Sequence, residues 1–182
     1  MEGAPKSRTH RTASLAVVVA AALMAIALPS VVRTPTLVLW NASASVPEGL
    51  YLVWPNHKLR VGDLAVTHLP KDAQTLAAER RYLPMGVPLI KPVAALSGAN
   101  VCRHDAAMYI NGARVATAMG ADHWRRPLPD WQGCRRLSPS ELFLLNPAVP
   151  DSFDGRYFGP TPQSLVIGSA FPVLTLAQSK DR

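Results

Sequence analysis

The sequence predicts a mainly β domain carried behind one N-terminal transmembrane helix. Three observations point there: a charge-free apolar run over residues 13–32, prolines and glycines spread along the rest of the chain, and short strand-like runs separated by turn residues. Seventeen prolines and eleven glycines in 182 residues interrupt long helices and favour short strands joined by turns.

In chain order, Lys6, Arg8 and Arg11 precede the apolar run with only Glu2 opposing them. The positive-inside rule then keeps residues 1–12 as a cytoplasmic basic tail and sends the rest across the inner membrane. A helix of about 20 residues matches a hydrocarbon core of about 30 Å, which makes residues 13–33 a single-pass anchor and residues 34–182 a periplasmic domain. A cleavable signal peptide ending near Ala25-Ile26-Ala27 remains the alternative. A buried soluble helix fits less well, because the run has no polar face.

Strand-like runs follow over residues 49–54, 63–68, 89–96, 107–110, 141–145 and 164–176. Asn111-Gly112 is a strong two-residue hairpin signal between apolar segments. Residues 75–82, rich in Ala, Leu, Glu and Arg, read as the one short helix of this part. Residues 103–140 form a less regular excursion, polar and rich in Pro and Trp from 116 onward.

A net charge of +7 favours anionic surfaces such as lipid headgroups. The basic residues fall in scattered pairs (Arg80-Arg81, Arg125-Arg126, Arg135-Arg136) without the aromatic interleaving of a nucleic-acid surface, so no nucleic-acid partner is expected. Cys102 and Cys134 lack C-x-x-C spacing, and no two of the five histidines have helical ligand spacing. Neither a metal nor another cofactor is expected. In an oxidising compartment the two cysteines allow one disulfide; two buried thiols are the alternative.

Three segments carry candidate chemistry. Ser43 and Ser45 stand before Val46-Pro47-Glu48-Gly49, where Pro47 fixes a turn that exposes a hydroxyl; ordinary loop composition would read the same way. Lys91 lies in Val87-Pro88-Leu89-Ile90-Lys91-Pro92-Val93, and apolar surroundings favour a neutral amine able to accept a proton. A lysine snorkelling from a sheet edge is the competing reading. Ser152, Asp154 and Arg156 alternate in a segment that would put them on one face if extended; a purely structural Asp154–Arg156 ion pair is the other possibility.

Taken in order behind an anchor, Ser-x-Ser-x-Pro-x-Gly-Leu-Tyr, the apolar-flanked lysine and Ser-x-Asp-x-Arg-Tyr-Phe-Gly-Pro resemble the type I signal peptidase family, in particular its conjugative-transfer branch, the TraF-type peptidases. The resemblance runs from the anchor to about Val173 and includes residues 58–66 and Tyr109-Ile110-Asn111-Gly112. It implies a coiled-sheet, barrel-like catalytic domain with Ser45 as nucleophile and Lys91 as general base. It also implies an oxyanion hole from the Ser45 N–H and the Ser43 hydroxyl, Ser152 orienting the lysine, and Asp154 with Arg156 as a supporting pair. The implied partners are membrane lipid and an exported precursor, a propilin, whose acyl-enzyme is sometimes resolved by its own N-terminus. A general leader peptidase and a non-catalytic bitopic assembly factor remain the alternatives.

The chain departs from the family pattern at Pro92, where an arginine is usual, at residues 96–100, where Pro-Gly-Asp is frequent, and at Asn146-Pro147, where a Gly-Asp-Asn run is common. These changes bear on loop geometry and spare Ser45 and Lys91. A carboxylate touching Lys91 would favour the ammonium and oppose its role as base, so Asp154 is expected to pair with Arg156.

Overall fold

The computed structural model describes residues 15–24 and 37–176. The chain divides into two units, Met1–Pro35 and Thr36–Arg182. In the first, residues 15–24 are helical and exposed; the basic tail and most of the expected 13–33 anchor lie outside the described residues. Among the described residues no helix is long and apolar enough to cross a membrane.

The second unit is mainly β. Its strands are β1 (Val38–Asn41), β2 (Gly49–Pro55), β3 (Leu64–Thr67), β4 (Leu89–Ala95), β5 (Asn100–His104), β6 (Ala107–Ile110), β7 (Ala113–Thr117), β8 (Gly133–Arg136), β9 (Glu141–Leu144), β10 (Thr161–Pro162) and β11 (Val166–Thr175). Two helices accompany them, α1 (Lys71–Glu79) and the single turn α2 (Gly155–Phe158). One sheet has the order β1-β2-β11-β3-β4-β9-β10, and a second has the order β7-β6-β5-β8.

Alternation of buried and exposed residues along β2 puts Tyr51 and Val53 into a core with Val46, Val66, Ile90 and Ala170. A second cluster joins the sheets through Ala95, Val101, Met108, Leu137, Phe143 and Leu145. Gly49 is required where β11 pairs with the start of β2: its φ is +148°, and a Cβ would fall 2.1 Å from the Leu174 carbonyl oxygen.

The Asn111-Gly112 turn joins β6 to β7, with both residues at positive φ, as a tight hairpin demands. The helix sits four residues before its expected start. Pro70 precedes its first turn, Ala73 and Ala77 bury one face, and Arg81 turns to φ +60°, which ends it. Tyr82 N–H then bonds back to the Ala77 carbonyl at 2.8 Å, and the tyrosine leaves the helix toward the cleft. Within the expected excursion, β6, β7 and β8 are regular, and the longest stretch outside the named strands is residues 118–132. A disulfide links Cys102 on β5 to its register partner Cys134 on β8.

Candidate active site

Ser45 sits in the turn between β1 and β2, and this turn is built by side chains on backbone groups. Asn41 Nδ2 donates to the carbonyls of Ser43 (2.8 Å), Val46 (3.1 Å) and Pro47 (3.1 Å). Its Oδ1 accepts from Ser43 N–H at 3.2 Å. Tyr51 Oη adds a 2.7 Å bond to the Pro47 carbonyl. Asparagine suits this task because one short amide carries both donors and an acceptor. The two serine hydroxyls lie 2.5 Å apart, and Ser45 N–H reaches Ser43 Oγ at 3.4 Å.

Lys91 projects from β4, 4% exposed. Its Nζ donates to Ser152 Oγ at 2.7 Å. Burial pushes the amine down to about 8, the charge of Asp154 opposes that push, Arg156 reinforces it and Asp151 opposes it. Ser45, Ser43, Lys91 and Ser152 all line one cleft. Each group is hydrogen-bonded to a neighbouring serine, Ser45 with Ser43 and Lys91 with Ser152.

Asp154 is fully buried and faces Arg156. Its Oδ1 accepts from Arg156 Nε at 2.9 Å and its Oδ2 from a second guanidinium nitrogen at 2.8 Å. Arg156 also donates to the carbonyls of Pro150 (2.8 Å), Val149 (2.7 Å) and Asn146 (3.1 Å). Burial alone would lower the guanidinium's pKa, but the hydrogen bonds and charge of Asp154 outweigh it and raise it. The segment is not one extended strand. Asp154 caps α2 by accepting from Arg156 N–H, so Ser152 turns to the lysine and the ion pair to residues 146–150. Gly155 permits this, since a Cβ there would meet the Leu144 carbonyl oxygen at 2.6 Å and the Phe143 ring at 2.7 Å.

Two positioning residues carried no role in the sequence reading. Asn41 opens the Ser43–Ser45 segment, and an asparagine just before a Ser-rich turn was a readable Asx signal. Asn146 is the second. Its backbone N–H donates to Asp154 Oδ2 at 3.0 Å, while its side-chain amide donates to the Ser45 carbonyl. Spanning 101 residues, that contact had no local signal. It ties the buried ion pair to the Ser45 backbone.

The cleft encloses about 780 Å³. Beside the serines and Lys91 it is lined by Leu83, Val87, Tyr82, Trp124, Met119 and Phe153. Away from it, His104 Nε2 lies 3.8 Å from Cys134 Sγ, and Cys102, His104 and Cys134 are close enough to share an ion. The two sulfurs are bonded to each other, which leaves no thiolate there to act as ligand.

Residues 11–175 match the family model described as signal peptidase, peptidase S26. The plasmid transfer protein TraF of Escherichia coli is 33% identical over 74% of this chain and 81% of its own length. The conjugal transfer protein TraF of Agrobacterium tumefaciens is 36% identical over 74% and 81%, respectively. A crystal structure of a signal peptidase I from Enterococcus faecalis is 19% identical, with a TM-score of 0.38, over 62% of this chain and 97% of that one.

Proposed function

The chain belongs to the S26 signal peptidase family, and from that premise we propose that it is a membrane-anchored serine endopeptidase. Its substrate in this reading is an exported precursor, a conjugative propilin. The observation that carries the reading is Lys91: a buried amine, pushed down to about 8, held by one hydroxyl in the cleft that the buried Ser45 also lines.

In the first step Lys91 Nζ takes the Ser45 hydroxyl proton as Oγ bonds to the peptide carbonyl carbon. The resulting oxyanion is received by Ser45 N–H and the Ser43 hydroxyl. Ser45 N–H donates to Ser43 Oγ across a long 3.4 Å, so an oxyanion displaces only a weak contact of that N–H. One such donor is typically worth about 2.7–4 kcal/mol of transition-state stabilisation. Collapse breaks the C–N bond, and the Lys91 ammonium returns its proton to the leaving amine. Water, or an amine of the substrate, then attacks the acyl-enzyme with Lys91 again as base.

Membrane placement is supported by the outer face of three neighbouring strands. Val38 and Trp40 on β1, Leu52 and Trp54 on β2, and Phe171 on β11 are all exposed, and Leu52 pairs with both Val38 and Phe171. Exposed tryptophans suit a headgroup layer. The conjugation substrate is supported by the transfer functions in the names of the TraF relatives.

Mass spectrometry of the pilin from cells carrying Ser45→Ala is the test. The precursor mass is expected to accumulate while other exported proteins mature normally. Accumulation of many precursors would favour a general leader peptidase, and unchanged pilin would favour a non-catalytic assembly factor.

A further inference from the structure

An aromatic wall extends the reactive centre in a direction that cleavage of one bond does not use. It starts at Phe153, the residue after the serine that holds Lys91. Phe153 packs on Tyr82 with ring centroids 5.5 Å apart, and Tyr82 stacks on Trp124 at 6.3 Å and 12°. The Arg126 guanidinium lies 4.5 Å from the Trp124 ring centroid and 5.5 Å from that of Tyr82, within cation–π range. All three aromatics line the cleft that contains Ser45 and Lys91.

Asp122 locks this wall in place. Its carboxylate accepts from Tyr82 Oη, from Arg126 Nε at 2.7 Å, and from the N–H groups of Arg126 (2.9 Å) and Trp124 (3.0 Å). Arg80, just past α1, adds a 2.8 Å bond to the Pro127 carbonyl. Residues 80–82 and 122–127, far apart in sequence, are thereby bonded to one another. Yet Trp124 remains 55% exposed, so a rigidly held indole is offered to whatever fills the cleft. Held aromatic surface binds at low entropic cost.

We propose that the Phe153–Tyr82–Trp124 wall is a second binding subsite, taking a large apolar or aromatic side chain of the peptide substrate away from the scissile bond. The inference rests on the peptidase reading, which places that bond at Ser45. The cleft's volume, about 780 Å³, is that of a site for a drug-sized ligand, far beyond one small side chain. Continuity with the reactive centre makes the substrate peptide the occupant. The specificity that follows has two parts, small residues at the bond and a bulky apolar anchor at a fixed distance from it.

Binding and turnover separate the inference from its premise. The probes are two fluorescein-labelled peptides with the same small residues at the bond, one carrying Phe and Leu elsewhere and the other Ser and Gly at those positions. They are titrated by polarisation into the full-length Ser45→Ala protein in detergent. The apolar peptide is expected to bind about tenfold more tightly or better, the equivalent of burying one large side chain. Adding Trp124→Ala, at an exposed position where folding is not at stake, should bring the ratio close to one. Tyr82→Phe, which keeps the ring and removes the bond to Asp122, should reduce it partway. Equal binding of the two peptides, no binding of either, or a preference that survives Trp124→Ala would each overturn the subsite. So would competition by phosphatidylglycerol vesicles that depends on Trp124, which would make lipid the occupant. Cleavage of both peptides by the unsubstituted protein with equal kcat/KM would keep the peptidase and remove the subsite. Preferential binding of the apolar peptide without any cleavage would keep the subsite and remove the peptidase.

Discussion

Lys91 and Arg156 are the same kind of residue at the same depth, and their surroundings treat them in opposite ways. The guanidinium is answered by a bidentate carboxylate and three carbonyls within 3.1 Å, so its charge is fully solvated by protein. The amine is answered by one hydroxyl. A buried cation with a complete set of partners is structural, and one left short of partners is ready to lose its proton. Burial alone does not distinguish the two roles; what fills the coordination does. Pairing Asp154 with Arg156 also keeps the carboxylate's hydrogen bonds away from the lysine.

The largest expected effect lies at the under-solvated site. Ser45→Ala, Lys91→Ala and the double variant should each lose on the order of 10⁴-fold or more in kcat/KM, by nearly the same amount, because paired groups act as a unit. Additive losses in a single-turnover assay would separate the two residues.

Replacing each cation by methionine tests the contrast itself. Arg156→Met strands Asp154 and should cost about 3–5 kcal/mol of stability. Lys91→Met should have the opposite sign. The folded-state value of about 8 against 10.5 unfolded means the unfolded chain binds more protons between those limits, so stability rises with pH across that window. At pH 7, below it, burial of the charged lysine costs roughly 3 kcal/mol, part of which methionine should recover. Urea unfolding of both variants at pH 7 reads the two signs; a destabilised Lys91→Met protein would mean that the amine is better solvated than its contacts indicate.

The smallest of these effects is at Ser152. Its alanine variant leaves Lys91 without its one hydrogen bond, and kcat should fall about tenfold to a hundredfold, the worth of roughly 1.5–3 kcal/mol. KM should change little, since the Ser152 hydroxyl is bonded to the Lys91 amine. A change confined to KM, measured by steady-state kinetics, would reassign Ser152 to substrate binding.

Strands β2, β3, β4, β6, β9 and β11 were legible because alternation or a continuous apolar run marks them. β1 was not, because of its four residues only Asn41 is buried while Val38 and Trp40 are exposed, so no apolar core face marks it. β5 and β8 were hidden in a polar stretch where pairing is stabilised by a disulfide and by each other, neither of which is a local property. Ser45 and Lys91 stood out because each violates its surroundings, a hydroxyl fixed on a turn and a charge in an apolar run. Asn146 and Asp122 act across long separations, Asn146 on the Ser45 carbonyl and Asp122 on Tyr82, and only the folded arrangement brings those partners together.

The pH dependence of kcat/KM for a peptide substrate, taken from pH 6 to 9.5 with the purified full-length protein, bears most directly on Lys91 as a neutral base. The active form is the deprotonated amine, so the rate should climb with pH and level off above about 8. A rate that stays flat or falls across pH 6–8, with the circular dichroism spectrum unchanged, would show that Lys91 does not take the proton of Ser45.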